Sequence, residues 1–390
     1  MTENILVINA GSSSVKFALF ALTRNKPIAT LKGQISGIGT APRIEAYGGD
    51  GAPVSLPRDP GGIASHDDAF KTLIDWLLVR GDPPTCVGHR VVHGGADFTS
   101  PVLVDDERLA ALDVLIPLAP HHQPHNLAAI RALSARLSGV PQVACFDTAF
   151  HASQPTVARE LGLPRAYAKR GLRRYGFHGL SYESVVLALP DATGEPLPAR
   201  LVIAHLGNGS SMCAVKDGTC VATTMGFSTL DGLPMGTRSG SVDPGVLLHL
   251  MRQEGADLAA LEDLLYNRSG LLGVSGISSD MRELLASDRP EAEEAVAFFC
   301  YRIARQLGSL AAALGGLDGL VFTGGIGENA GQVRARVLTS SAWLGLRLDK
   351  KANQNGNARI TLPDSQTRAW VVPTGEEAAI ARHTLRVLGR

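Results

Sequence analysis

The chain of 390 residues has no surplus of either charge, since Lys and Arg together number 37 and Asp and Glu together also number 37. A balanced surface offers no general attraction to nucleic acid or an anionic membrane, so neither is expected as a partner and any anion binding has to be local. Cysteine is scarce. Cys86, Cys145, Cys213, Cys220 and Cys300 form an odd, scattered set without a CxxC, which argues against a disulfide framework or a zinc site and fits a reducing compartment. Each is expected to be a free structural thiol. Long apolar runs are missing too. The N-terminal apolar stretch is short and has no basic segment before it, so no signal peptide is expected. The longest apolar region, "LGSLAAALGGLDGLVF" from Leu307, is interrupted by glycines and argues against a membrane span. A cytoplasmic protein is expected.

Hydrophobic residues at 45% and charged residues at 19% describe a globular chain able to bury a sizeable core. At about 150 residues per domain the length indicates two or three domains, and two are expected. Glycine is abundant, with 43 residues, and the excess follows apolar runs. Three places stand out: "ILVINAGSSSVKFALF" at 5–20, "RLVIAHLGNGSSMCAV" at 200–215 and "GLVFTGGIGEN" at 319–329. Each reads as a buried strand followed by a glycine turn. The first two align with each other, which points to an internal duplication. In both, a second apolar run behind the turn reads as a hairpin rather than a Rossmann strand-to-helix entry, and neither has P-loop spacing. Helical periodicity appears at 67–80 and 291–314, while the Pro- and Gly-rich 189–200 reads as a surface loop. Strands alternating with helices indicate an α/β protein.

Several stretches carry side chains suited to chemistry. In "VGHRVVHGGADF" at 87–98, Arg90 lies in an apolar run and needs an anionic partner, either a ligand or an internal Asp or Glu. "LAPHHQPHN" at 118–126 holds His121, His122 and His125, but its two prolines argue against the helix that HExxH zinc sites use. Asp147 follows an apolar strand, where α/β proteins place ligand-binding groups, although a helix-capping role is open. Phe177 and His178 sit between glycines that allow close approach to a ligand, and Arg238 lies in the glycine-rich loop 230–245. With Glu376 and Glu377 after "VVPTG", these are parts that phosphoryl transfer needs: backbone cradles, cations and a carboxylate for magnesium.

The residues resemble the acetokinase family, within the superfamily of acetate and sugar kinases, heat-shock chaperones and actin. "VINAGSSSVK" at 7–16 and "VGHRVVHGG" at 87–95 match the family signatures, and "FDTAFH", "RRYGFHG", "AHLGNGSS", "MGTRSG", "GISSDMR", "FTGGIGEN" and "PTGEE" follow in order. The resemblance implies a two-domain actin-like ATPase (ribonuclease H-like) fold with a duplicated βββαβαβα core and a central cleft. It implies domains at 1–149 plus 378–390 and at 150–377. By motif, it assigns Asn9 to the transferred phosphate and to the metal, with Ser12, Ser14 and Lys16 shaping that turn. Arg90 and Arg238 would hold the carboxylate and the phosphoryl charge, His178 the transition state with His122 in a lesser role, Asp147 the cations and Glu376 the magnesium. His205, Asn208 and Gly209 would face the nucleotide phosphates, while Asp280, Met281, Arg282, Gly325, Ile326 and Asn329 would form the adenosine pocket. Val92 and Phe177 would wall an apolar acyl pocket.

The activity so implied is reversible, magnesium- or manganese-dependent transfer of the ATP γ-phosphoryl group to acetate, giving acetyl phosphate and ADP, in a homodimer. The chemistry is coherent, because a carboxyl group with a pKa of about 4.3 is already an anionic nucleophile at neutral pH and needs no strong base. Two positions depart from the family pattern: His121 stands where an apolar residue is expected, and Thr229 where proline is common. Both border the acyl pocket, which keeps propionate or another short acid as an alternative. A sugar kinase would need a base and polar sugar contacts, and a chaperone-like ATPase would need a substrate-binding appendage; neither is expected.

Overall fold

The segments "NILVINA" and "RLVIAHL" are buried on both faces along almost their whole length, as strands are at the centre of a sheet covered on both sides. Each is the first strand of its own sheet in a computed structural model that describes residues 3–11, 14–24, 26–55 and 62–390. The chain divides into two compact units, Met1–Ala149 with Gly375–Arg390 and Phe150–Thr374. The return to the first unit starts at Gly375 rather than at 378, which places Glu376 and Glu377 with the first unit.

The first unit contains β1 (Asn4–Ala10), β2 (Ser14–Thr23), β3 (Lys26–Ser36), β4 (Arg43–Gly48), β5 (Cys86–Val91), β6 (Val102–Leu103) and β7 (Gln142–Phe146). They form one sheet in the order β4-β3-β2-β1-β5-β7-β6. β1 and β2 make the expected hairpin, with Asn9 opposite Lys16 and Ala10 opposite Val15. β1, β5 and β7 run parallel, so their carboxyl ends share one edge. The helix His66–Val79 is started by Ser65, whose side chain and that of Asp68 cap each other's backbone amides. Its Leu73, Ile74 and Leu77 pack with Leu6, Ile8 and Phe17 of the sheet.

The second unit contains β8 (Arg200–Leu206), β9 (Ser210–Lys216), β10 (Thr219–Thr223), β11 (Gly319–Thr323) and β12 (Arg368–Val371), ordered β10-β9-β8-β11-β12. This repeats β3-β2-β1-β5-β7 strand for strand, two antiparallel neighbours on one side and two parallel on the other. The duplication read from two glycine turns is therefore a duplication of topology, as the actin-like fold requires. The helix Pro290–Leu314 covers one face, with Phe299, Ile303 and Leu307 against Val202, Ala204 and Phe322. Tyr182, Val185 and Leu189 of the helix Gly179–Thr193 cover the other, against Leu201, Ile203 and Trp370.

Three local readings change. The stretch 189–200 is not all loop, because the helix runs to Thr193 and stops only where Gly194 adopts φ 68° and donates to Pro190 O. The third site, read as a glycine turn after a strand, is at 324–329 a helix entered directly from β11. The prolines near the histidines do not prevent a helix: Pro124 sits in the first turn of Gln123–Arg136, where a missing N–H costs nothing. None of the described helices is long and apolar enough to cross a membrane.

The C-terminal helix Glu376–Val387 packs on β1, β5 and β7, and it comes very close at Gly88. A Cβ there would stand 2.4 Å from Thr384 Oγ1 and 2.6 Å from Ile380 Cγ2. Gly88→Val should therefore lower stability by about 1–3 kcal/mol or more through overpacking. Calorimetry checks this, and an unchanged melting temperature would mean that the helix does not need that approach.

Candidate active site

In the first unit, Arg90 near the end of β5 and Asp147 just beyond β7 form a forked ion pair. Nε lies 2.9 Å from Oδ1 and Nη2 lies 2.6 Å from Oδ2. Asp147 is 1% exposed and Arg90 23%, so the carboxylate is sealed while its cation keeps an outward face. Arg90 Nη1 also donates to Asn9 Oδ1 at 3.3 Å, tying in the end of β1. Of the two partners considered for Arg90, the internal carboxylate is present as Asp147. Burial pulls against the Arg90 charge, but Asp147 and then Glu376 outweigh it and hold its pKa raised. Glu376, in the first turn of the C-terminal helix, is pushed up chiefly by burial, opposed by Arg90 and reinforced by Asp147 and Glu377. Three carboxylates here face one arginine and, more weakly, Lys16. The available donors are all oxygens and negative charge is in excess, which fits a hard divalent cation such as magnesium.

The backbone after β5 is pinned from several sides. Asn126 accepts from Val92 N at 2.9 Å and donates to Ala10 O at 2.8 Å, joining the ends of β5 and β1. Gln123 bonds both the N–H and the carbonyl of His93, and Thr148 accepts from Gly94 N at 3.0 Å. His122 stands at the N-cap of that helix, and His125 stacks on His66 with ring centroids 5.4 Å apart. Val92 is buried. Ser14 closes the first turn through its carbonyl, which accepts from Gly11 N at 2.8 Å; Lys16 is exposed. Ser12 lies outside the described residues.

In the second unit, His178 occupies the left-handed region at φ 59° as it starts the helix Gly179–Thr193. Its Nδ1 is 2.8 Å from Ser211 Oγ, which also bonds the Tyr182 hydroxyl. When Tyr182 donates to Ser211 and Ser211 to Nδ1, Nε2 carries the ring proton. That Nε2 points over Gly209, 3.5 Å from where a Cβ would be, and Arg238 Nη1 is 3.9 Å from the same point. Arg238 is steadied by donating to Thr229 O at 3.0 Å. The His205 ring stacks on His178 at 4.4 Å, and its Nδ1 meets Ser181 Oγ at 2.8 Å. Thr374 donates to Ser181, and Glu328 accepts from the backbone of Thr374 and Gly324. A Cβ at Gly207 would lie 4.0 Å from His205 Nε2 and 3.9 Å from Gly325 N, so imidazole and amide converge on that turn. Donors with no side chain in the way suit phosphate oxygens.

Asn208 is turned to the loop: its Oδ1 occupies the space where Gly236 would carry a Cβ, 2.0 Å away. Asp280 caps the helix Met281–Ala286 and is gripped by Arg282, while the Met281 side chain belongs to the core. The space above Gly325 is open, Asn329 donates to Gly325 O, and Ile326 packs on the core. Phe177 is buried, and its carbonyl meets His151 Nε2 at 2.8 Å. The sequence reading did not single out Gln123, Asn126, Thr148, Ser181, Ser211, Glu328 or Thr374. All but Ser181 lie inside stretches it quoted.

The sequence profile of the acetokinase family matches residues 4–382. The chain is 52% identical over 395 aligned residues to the acetate kinase of Rhodopseudomonas palustris (strain ATCC BAA-98 / CGA009), covering 99% of each. It is 40% identical to the acetate kinase of Rickettsia akari (strain Hartford) over the whole of both chains. It superposes on the crystal structure of Porphyromonas gingivalis acetate kinase with a TM-score of 0.89 at 37% identity, covering 99% of this chain and 100% of that one. A propionate kinase from Francisella tularensis subsp. tularensis SCHU S4 matches with a TM-score of 0.91 at 35% identity and the same coverage.

Two outcomes test the electrostatics. Arg90→Ala leaves Asp147 buried without its cation and should cost roughly 3 kcal/mol, most of which Asp147→Asn added to it should restore; a double variant no more stable than the single one would refute the pairing. Glu376 binds its proton more tightly folded than unfolded, so its contribution to stability falls as pH rises above the usual 4.5. The melting temperature of Glu376→Gln relative to the parent should therefore increase with pH in metal-free buffer, and magnesium should narrow the gap. A pH-independent difference would contradict this.

Proposed function

The chain belongs to the acetokinase family, and from that membership we propose that it transfers the ATP γ-phosphoryl group reversibly to acetate, giving acetyl phosphate and ADP. The observation that carries this reading is the Arg90–Asp147 fork beside Asn9 and Glu376, a cation set at the carboxyl ends of parallel strands. Acetate needs no base at neutral pH, with a carboxyl pKa of about 4.3. The barrier is instead the repulsion between two anions. Arg90, held in one orientation by Asp147, meets this charge, and an arginine in that role is worth about 10³–10⁵ in rate. Asn9 and Glu376 would hold magnesium or manganese, which when bound neutralises phosphate charge.

On the nucleotide side, His205 Nε2 and the Gly207–Gly209 turn, including Asn208, face the ATP phosphates. Asp280, Met281 and Arg282 with Gly325, Ile326 and Asn329 take the adenosine; Met281 contributes through its backbone, since its side chain is in the core. His178 Nε2 and Arg238 Nη1, both aimed over Gly209, stabilise the phosphoryl group as it leaves ADP. These are preorganised donors, and they need no reorganisation when charge develops. Val92, His122, Phe177 and Thr229 border the acyl group. The enzyme acts in this reading as a cytoplasmic homodimer.

Propionate is the second reading, favoured by the similarity to a propionate kinase and by Thr229 and His121 near the acyl group. ADP release measured with acetate, propionate and butyrate decides between them. Acetate should give the highest kcat/KM, propionate a lower one and butyrate the lowest. A reversed order would reassign the substrate, and no acid-dependent turnover with any of the three would overturn the proposal.

A further inference from the structure

Beneath the His178 turn, the second unit holds a buried group that the reaction does not use. The side chains of His151, Cys213 and Cys220 place one imidazole nitrogen and two sulfurs within 4.8 Å of one another. His151 Nδ1 is 3.1 Å from Cys220 Sγ, and the two sulfurs are 3.4 Å apart. We propose that these three residues form a binding site for a thiophilic d¹⁰ cation, zinc foremost, inside the second unit.

The histidine is already set as a ligand. Its Nε2–H donates to Phe177 O at 2.8 Å, which leaves the Nδ1 lone pair facing the sulfurs. Metal-binding imidazoles are held in this way, the second nitrogen donating to a backbone carbonyl. The distances agree. Tetrahedral angles with Zn–S of about 2.3 Å and Zn–N of about 2.0 Å put sulfurs ~3.8 Å apart and nitrogen ~3.5 Å from sulfur. The His151–Cys220 and Cys213–Cys220 separations have to widen by only about 0.4 Å, and the remaining pair, His151 with Cys213, lies within 4.8 Å. A disulfide fits less well. Cys220 pairs with Val215 and Cys213 with Thr223, so the cysteines are diagonal across the ladder. In a regular ladder diagonal Cα atoms lie about 7–8 Å apart, longer than the usual disulfide span, and a bulge between Cys220 and Ala222 adds a residue to the offset here.

Charge points the same way. Two thiolates and a divalent ion make a neutral complex, the form an apolar interior accepts. The surroundings are apolar, with Val215, Leu201 and Ile203 in the same core cluster. Binding converts two thiols to thiolates, so M²⁺ enters and up to two protons leave. Burial and the Cys220 contact push the Cys213 thiol up, while at Cys220 the Cys213 and His151 contacts override burial and draw that thiol down, so of the two only Cys220 is predisposed to ionise and the bound cation has to displace the Cys213 proton. Among the described residues no further His, Cys, Asp or Glu joins the group. Three protein ligands suit a trigonal ion, or zinc with a water as the fourth. Occupancy would stiffen the support of His178, since His151 holds the carbonyl of the preceding residue and Cys213 lies two residues along β9 from Ser211.

The test uses the full chain, stripped with a chelator and equilibrated slowly with Co²⁺ in excess Mg²⁺. One Co²⁺ per chain should bind with thiolate-to-cobalt charge-transfer absorption in the near ultraviolet, displaced by one equivalent of Zn²⁺. An oxygen-ligated magnesium site gives no such absorption, so this outcome is independent of the proposed reaction. Cys213→Ser and Cys220→Ser should each weaken the band, and Cys86→Ser should keep it. Should either variant fail to fold, the parent protein still reports: zinc should slow alkylation of Cys213 and Cys220 on the order of tenfold, without protecting Cys86. Cobalt binding without the thiolate band, a band that survives loss of both cysteines, or no zinc protection would overturn the site.

Discussion

A carboxylate that is 1% exposed cannot stand alone, and Asp147 obliges Arg90 to meet it. That obligation organises the first unit's functional edge. Asp147 follows β7, Arg90 lies on β5, and Asn9, which Arg90 also touches, lies on β1. One guanidinium thus ties together the carboxyl ends of three parallel strands. Asn126 and Gln123 extend the same constraint to the loop beyond β5. An arginine fixed by a buried partner loses little further freedom when a ligand arrives, so its charge is delivered where the fold aims it.

The two sheets share a topology and use it for different electrostatic purposes. In the first unit the strand ends carry charge, with carboxylates outnumbering cations. The second unit instead presents glycine amides and two stacked imidazoles, each oriented by hydroxyl groups behind it, with the Arg238 guanidinium beside them over Gly209. Hydroxyl relays orient a ring without adding charge. That suits a surface meeting polyanionic phosphate, where fixed dipoles stabilise without a counter-ion to displace. A duplicated scaffold can diverge in this way because the ladder of backbone hydrogen bonds is indifferent to the side chains at its ends.

The central strands and both hairpins were legible because an apolar run that stops at glycine has few other readings. The helices at 66–79 and 290–314 were legible through their three-and-four periodicity. The groups that orient the site were not. Ser181, Ser211 and Thr374 are small and uncharged, and nothing local marks a hydroxyl that reaches an imidazole 24 or 33 residues away, or another hydroxyl 193 residues away. Pro124 misled because proline ends a helix in its interior but begins one in its first turn. Spacing rules also could not see His151 with Cys213 and Cys220, since a β-ladder brings the two cysteines together and a separate turn, Ala149–Ser153, brings His151 to them.

The position of the C-terminal helix has a temporal consequence. β1 to β7 emerge early in translation, yet the helix that packs on them, and Glu376 at its start, follow the whole of Phe150–Thr374. At typical elongation rates that segment takes on the order of ten seconds or more to make. Until then the first sheet has a cleared groove along Gly88 and lacks two of its three acidic groups, Glu376 and Glu377. The second unit, continuous in sequence, has no such wait. Vectorial synthesis therefore reverses the order of completion: the unit that starts first finishes last.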